Sequence, residues 1–392
     1  MNNKKWMAIL LGGIMAASLA APCSVSAAEK TTLTFWHAMG GTNGEVLQQI
    51  VDDFNASQDE IEIKAEYQGT YDDTITKLKA AMQSDSGLPD VCQMYDVGTK
   101  FMYDSGAVIP VEDKFESTGY DKSSVMEVIS SYYTVDGKQY AMPFNVSTPM
   151  LYYNKDVFEA AGLDPETPPT TYDEVLEDAK KIVESGAAPV GYSQAIYGWF
   201  FEQQLAGLGV TYGNNDNGRK EAVTAVDFDS NGGGLKVFDM WKKLYDSGYF
   251  EDYGTTTADT QTAFFSGQVG MIIESTAILK NAVDSSPFEV GTGYLPRIEQ
   301  NDEGGVIIGG GSLWLTDTGN EANEDAAWKF IEYITTPDVQ AKWSMGTGYF
   351  AINEKAYETE DMKAYLKENP NFETAINQLK DSPVNCNTAG VL

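Results

Sequence analysis

Apolar and polar positions alternate along the chain with two different periods, and the switches between them mark out elements. Leu33-Thr34-Phe35-Trp36 reads as a strand that Gly40-Gly41-Thr42 ends. From Glu45 to Phe54, Val46, Ile50, Val51 and Phe54 recur on one helical stripe. Ile61 to Tyr67 alternates with period two, the signature of a half-buried strand. Ile75, Leu78 and Met82 then predict a helix over Asp72 to Ser84, and Val91 to Met94 a short strand. The succession strand, helix, strand, helix, strand predicts a parallel sheet with right-handed crossovers. Asp136-Gly137, inside Tyr133 to Tyr140, suits the positive φ angles of a type I′ hairpin turn.

Past Pro143-Phe144 a second α/β unit begins with a strand over Met150 to Tyr153. Thr167-Pro168-Pro169-Thr170-Thr171 is a stiff linker. Thr171 caps the next helix with Glu174 as its capping-box partner, and Gly186 closes it. Ala327, Phe330, Ile331 and Ile334 make an inward stripe on a helix over Glu324 to Ile334, which Pro337 keeps from continuing. There is no internal repeat and no low-complexity tract.

The first 27 residues follow a different logic. Lys4 and Lys5 precede the uncharged, mostly apolar run Trp6 to Ala21, and Val25 and Ala27 stand at −3 and −1 of a cut after Ala27. This is a secretory signal peptide, and the mature chain is expected in the periplasm. The alternative is a lipid anchor on Cys23 at the outer face of the cytoplasmic membrane, which Pro22 disfavours. No other segment is long and apolar enough to span a bilayer.

Composition narrows the function. The 392 residues suggest two to three domains, with 42% hydrophobic residues to fill their cores. Acids number 58 and bases 26, a net charge of −32, which removing the leader makes −34. Such a chain repels nucleic-acid phosphates and anionic lipid. One histidine, His37, excludes a two-His metal site and leaves one base for any His-dependent triad. It is placed in a loop after the first strand, in a structural role. Cys92 reads as a buried small hydrophobe, and a Cys92–Cys386 bridge is open in an oxidising compartment. Walker A and G-x-S-x-G patterns are absent. Asp227 to Gly232 starts like a calcium loop, but its twelfth position is Phe238, so it reads as a turn before a helix. No cofactor is expected. Twenty-two Tyr and seven Trp suit a cleft that covers the C–H faces of a polyol with rings and reads its hydroxyls with acids.

Three stretches carry a family resemblance: Phe264-Phe265-Ser266-Gly267-Gln268-Val269-Gly270-Met271, Ala326-Ala327-Trp328-Lys329-Phe330-Ile331, and Thr347-Gly348-Tyr349-Phe350-Ala351-Ile352-Asn353. With them, from Leu33 to the end, the chain resembles the extracellular solute-binding proteins of ABC importers, the group that includes the maltose-type sugar binders. Gly69-Thr70-Tyr71, Gln93 to Thr99, Pro143 to Pro149, Leu151 to Asp156 and Ile307 to Trp314 are most similar to its glycerol-3-phosphate binders.

The resemblance implies a periplasmic-binding-protein-like type II fold: two α/β lobes, a hinge and an interlobe cleft. Lobe I would hold residues 28–143 and 295–341, and lobe II residues 144–294 and 342–392, with a truncated C-terminus. It implies a monomeric, non-catalytic binder that passes a small polyol phosphate, or a neutral sugar, to ABC permease subunits. The rival from another class is a secreted hydrolase, for which no nucleophile–base pair can be named. The ligand residues it implies are Tyr71, Asp96 (ionised, accepting hydroxyls), Ser147, Trp199, Ser275, Gly310 (through its N–H) and Tyr349 (from the other lobe). Two positions depart from the pattern. Ile196 stands where the family has a second cleft tryptophan, and no arginine falls in Thr388 to Leu392, where the phosphate-holding one is implied.

Overall fold

The computed structural model describes residues 30–84 and 87–392. The leader, with Cys23 and Ala27, lies outside them. Strands β1 (Thr31–His37), β2 (Ile61–Tyr67) and β3 (Val91–Tyr95) pair in parallel, with β1 between the other two. Leu33 and Phe35 on β1 face inward and are fully buried, while Thr31 and Thr32 are exposed, so the period of two places the core as expected. The crossover helices Gly41–Ser57 and Tyr71–Met82 bury Leu47, Ile50, Val51 and Phe54 on the first and Thr74, Leu78 and Ala81 on the second.

The strand β4 is Val108–Ile109, and β5 (Thr134–Val135) and β6 (Lys138–Gln139) form the small hairpin. Asp136 and Gly137 adopt φ of 52° and 77° at its turn, as the Asp-Gly pair predicts. The chain then runs through β7 (Met142–Ser147) and β8 (Pro149–Asn154), which lie in different sheets. The second sheet has the order β11-β8-β10-β9, with β9 Val190–Ser193, β10 Val269–Ser275 and β11 Val290–Gly293. Finally β12 (Gly309–Thr316) returns to the first sheet, antiparallel to β3, β4 and β7. Two α/β lobes thus share one chain, which crosses between them at Thr148 and again between β11 and β12.

The lobe borders sit elsewhere than the resemblance implies. All of β7 pairs with β12 in the first sheet, so the first crossing follows Ser147 and not Pro143. Helix Pro337–Thr347 packs on helix Gly41–Ser57, with Lys342 paired to Asp53 at 2.6 Å, and it spans the expected border at 341. Phe350 N–H donates to the Val146 carbonyl at 2.9 Å, which fixes Tyr349 to lobe I. Pro337 ends one helix and occupies the first turn of the next, where its missing N–H is harmless. His37 is the last residue of β1 and no loop residue. It is buried, its Nδ1 accepts from the Met39 N–H, and desolvation lowers its pKa to about 4. Thr171 and Glu174 form the reciprocal cap, and Gly186 ends that helix at φ 77°. Cys92 and Cys386 are both free thiols, Cys92 buried in the core.

Candidate functional site

The polar cluster at the C-terminal ends of β1, β3 and β7 grows out of local signals. Gly69 at φ 98° turns the chain, and Thr70 and Asp73 cap helix Tyr71–Met82 reciprocally. Tyr71 therefore stands at the first helical position. Its ring stacks on Tyr95 at 5.1 Å and 7°, and its hydroxyl accepts from Asn145 Nδ2 at 2.7 Å. Asn145 Oδ1 accepts from Gln93 Nε2 at 2.6 Å, and Gln93 Oε1 accepts from the Ala38 N–H at 2.8 Å. Gln93 and Asn145 are fully buried, so each bond in this relay is needed to offset desolvation. Tyr349 faces Tyr71 and Asn145, and its ring lies flat on Trp343 at 5.6 Å and 7°.

Gly310 is a glycine for two reasons. Its φ is 97°, and a Cβ there would stand 1.9 Å from the Asn145 carbonyl oxygen. The β7–β12 register slips next to it, between Gly311 and Ser312. Trp199, in helix Gly198–Gly207, closes over Gly309, where a Cβ would meet its ring at 2.7 Å. Its indole Nε1 is buried and has no partner. Ser147 is buried opposite Gly309 at the end of β7. Ser275 lies at the lobe II side of the crossing, where Thr276 N–H donates to the Thr148 carbonyl at 2.8 Å. Its hydroxyl accepts from the Ala277 N–H at 3.1 Å and its carbonyl accepts from the Tyr152 hydroxyl at 2.7 Å.

Asp96 opens a 3₁₀ turn after β3, and its carbonyl accepts from the Tyr132 hydroxyl at 3.1 Å. The residue is half-buried. Burial, helped by the negative charge of Glu202, raises its pKa to about 7. This corrects the expectation of a fully ionised aspartate: near neutral pH the two forms coexist, and the carboxyl can donate as well as accept. Tyr133, close by, has a buried hydroxyl that lies near Ser312 without reaching hydrogen-bond geometry. On the lobe II side, burial raises Glu274 to about 7 as well.

Tyr71, Gly310 and Tyr349 thus gather around Asn145 on one lobe with Asp96 near Tyr71, Ser147 and Trp199 flank Gly309, and Ser275 sits across the crossing. Sequence reasoning missed Asn145, Tyr95, Tyr132, Tyr133, Glu202 and Glu274. Asn145 lies within the Pro143 to Pro149 stretch, and Glu202 one helical turn after Trp199, so both had a local signal. The chain has two arginines, Arg219 and Arg297. Arg219 reaches the region where the phosphate-holding arginine is implied: its Nη2 donates to the Ala389 carbonyl at 2.7 Å and its guanidinium lies over the Tyr132 ring at 5.3 Å. Nothing in its sequence neighbourhood marks it. A cavity of about 560 Å³ beside β11, lined by Pro168, Tyr294 and Gln378 among others, touches none of the expected residues. Among the described residues no group of His, Cys, Asp and Glu could hold a metal ion.

The family model described as bacterial extracellular solute-binding protein matches residues 49–374. The chain belongs to that family. It is 33% identical over 389 residues to the sn-glycerol-3-phosphate-binding periplasmic protein UgpB of Brucella abortus (strain 2308), covering 98% of this chain and 89% of that one. Against the protein of the same name from Escherichia coli (strain K12) it is 31% identical, covering 90% and 81%. In fold it matches UgpB from Mycobacterium tuberculosis in complex with glycerophosphocholine, with a TM-score of 0.79 at 23% identity over 90% of this chain and 87% of that one. It also matches maltose-bound MalE3 of T. maritima, with a TM-score of 0.74 at 20% identity over 91% and 90%. These matches bear out the two-lobe, type II fold that the resemblance implies. No helix among the described residues of this solute-binding protein is long and apolar enough to cross a membrane.

Proposed function

We propose that the chain is the substrate-binding component of an ABC importer, which captures glycerol 3-phosphate or one of its diesters between the lobes and delivers it to the membrane permease. The observation that carries this reading is the identity to the glycerol-3-phosphate binders over nearly the whole chain, together with the cluster of Tyr71, Gly310 and Tyr349 around Asn145 and Asp96 near Tyr71. Asp96 and the Tyr71 hydroxyl suit the hydroxyls of the ligand, the Tyr349 hydroxyl its phosphate, which lies away from Asp96, and the Trp199 ring with its unpaired N–H covers one face. Ser147, Ser275 and the Gly310 N–H complete the set. The protein acts without catalysis, as an exported monomer cut after Ala27, and needs no cofactor.

A second reading, a neutral sugar or oligosaccharide, is favoured by the acidic character of the cleft. Asp96, Glu202 and Glu274 are all carboxyls with raised pKa values. Calorimetry with glycerol 3-phosphate, glycerophosphocholine and maltose separates the two. Tyr349→Phe should weaken the phosphate ligands more than maltose, and an equal loss would move the assignment to the sugar. Product formation from a panel of polyol esters and glycosides would replace both readings with a hydrolase.

A further inference from the structure

At each of the two crossings between the lobes the backbone changes sides abruptly. At the first, Ser147 still pairs with Gly309 in the sheet of lobe I, whereas the next residue, Thr148, is bonded to lobe II through both of its backbone groups. Its N–H donates to the Thr276 hydroxyl at 3.2 Å, and its carbonyl accepts from the Thr276 N–H at 2.8 Å. Pro149 follows and restricts Thr148 to an extended backbone, so this joint has little slack on the lobe II side. At the second crossing Gln203, fully buried in helix Gly198–Gly207, holds Ile307 in the same double fashion. The Ile307 N–H donates to its Oε1 at 2.8 Å, and the Ile307 carbonyl accepts from its Nε2 at 2.7 Å. Gly309 is already paired in lobe I, so the change of lobe falls at Ile308.

One side chain joins the two crossings. Gln378 is buried on helix Asn371–Asp381, which packs on β11 of lobe II. Its Nε2 donates to the Thr148 hydroxyl at 3.2 Å and to the Pro149 carbonyl at 2.7 Å. Its Oε1 accepts from the N–H of Leu295, where the second crossing begins, at 2.5 Å. One turn further on, Ser382 Oγ donates to the Gln378 carbonyl at 2.9 Å and accepts from the Val306 N–H at 3.0 Å. A buried amide is costly unless its donors and its acceptor are met, and here the two crossings meet them.

We propose that Gln378, together with Gln203, is a positioning residue that clamps both crossings to lobe II as one unit, so that the lobes close by turning at the Ser147–Thr148 joint and at Ile308. This role rests on the reading that a ligand is taken between the lobes. Two of the proposed ligand groups, Ser147 and Gly310, stand on the lobe I side of these joints, and Trp199 lies against Gly309 from the lobe II side. A clamped pivot keeps these groups in register as the lobes turn. Slack in it adds conformations that binding must remove, which weakens affinity although no ligand contact is lost.

The test is amide hydrogen exchange on the full chain without ligand, together with calorimetry against glycerol 3-phosphate. Gln378→Leu should speed exchange about tenfold at the Thr276, Val306 and Ile307 amides, none of which bonds the altered side chain, while β1 and β2 exchange as before. It should also weaken glycerol 3-phosphate about tenfold. Gln204→Leu is the control: Gln204 is a buried neighbour of Gln203 that bonds Tyr172 and neither crossing, and its variant should change neither readout. If Gln378→Leu does not fold, Thr276→Val removes the hydroxyl that holds the Thr148 N–H and should speed exchange at Val306 and Ile307, whereas Thr276→Ser keeps that oxygen and should behave as the unaltered protein. The clamp is overturned if exchange at these amides is unchanged, if it rises equally throughout the chain, if it rises while affinity holds, or if Gln204→Leu does the same. Failure of the unaltered protein to bind glycerol 3-phosphate overturns the ligand assignment alone; maltose then replaces it in the calorimetry, and the exchange pattern still decides the clamp.

Discussion

Glu274→Gln should stabilise the protein at alkaline pH and do little in mild acid. Glu274 is 3% exposed on β10, its Oε2 accepting from Gln261 Nε2 at 3.0 Å and its Oε1 from the Ser275 N–H at 2.7 Å. Burial outweighs these two bonds and lifts the carboxyl from an ordinary 4.5 to about 7. In the unfolded chain it ionises near 4.5, so between the two values the folded state holds the extra proton. Stability therefore falls as pH rises from about 4.5 to about 7, and levels off above. At about 1.36 kcal/mol per factor of ten, the loss is about 3 kcal/mol. Glutamine keeps the shape, can accept from Ser275 and can bond the Gln261 amide after a flip. Urea titrations of both proteins at intervals from pH 5 to pH 8 should show the difference in unfolding free energy growing from near zero to about 2–3 kcal/mol in favour of the variant. Tyr152 and Tyr197, the titratable groups that face Glu274, stay protonated throughout and cannot supply the slope. A difference that is flat with pH, or a variant less stable at pH 8, would refute the assignment of a buried, neutralised acid.

Asp96→Ala should weaken the cleft ligand roughly tenfold to a hundredfold by removing a charge-assisted contact of about 1.5–3 kcal/mol, as read by calorimetry. Because Asp96 titrates near 7 amid Glu202, Tyr71, Tyr95, Tyr132, Tyr133 and Tyr197, Asp96→Asn should also flatten the pH dependence of binding between pH 6 and 8, and an unchanged profile would assign the titration to another group. Gly310→Ala should cost at least about 2 kcal/mol and abolish binding, since φ 97° and a 1.9 Å approach to the Asn145 carbonyl force β7 and β12 apart. Thr171→Ala should cost about 1 kcal/mol in thermal or urea unfolding with ligand affinity intact, because it removes only a helix cap in lobe II.

The sequence by itself determined the elements whose causes are local. The inward stripe of Ile50, Val51 and Phe54, the alternation along β1 and β2, the Asp136-Gly137 turn and the Thr171–Glu174 cap each depend on residues within a few positions of one another, so the periodicity carried them. The family resemblance in turn led to Tyr71, Gly310 and Tyr349, which converge on Asn145. Only the tertiary structure decided where the lobes divide, because β12, which begins at Gly309, joins the first sheet far along the chain from β7, which begins at Met142, and pairing at that separation leaves no local trace. It also decided that Asp96 and Glu274 titrate near 7, since a carboxyl's pKa follows the desolvation produced by distant segments packed around it. The position of Tyr349 has the same origin: one backbone bond from Phe350 to Val146 places it on lobe I, and neither residue's neighbours in the chain foretell that contact.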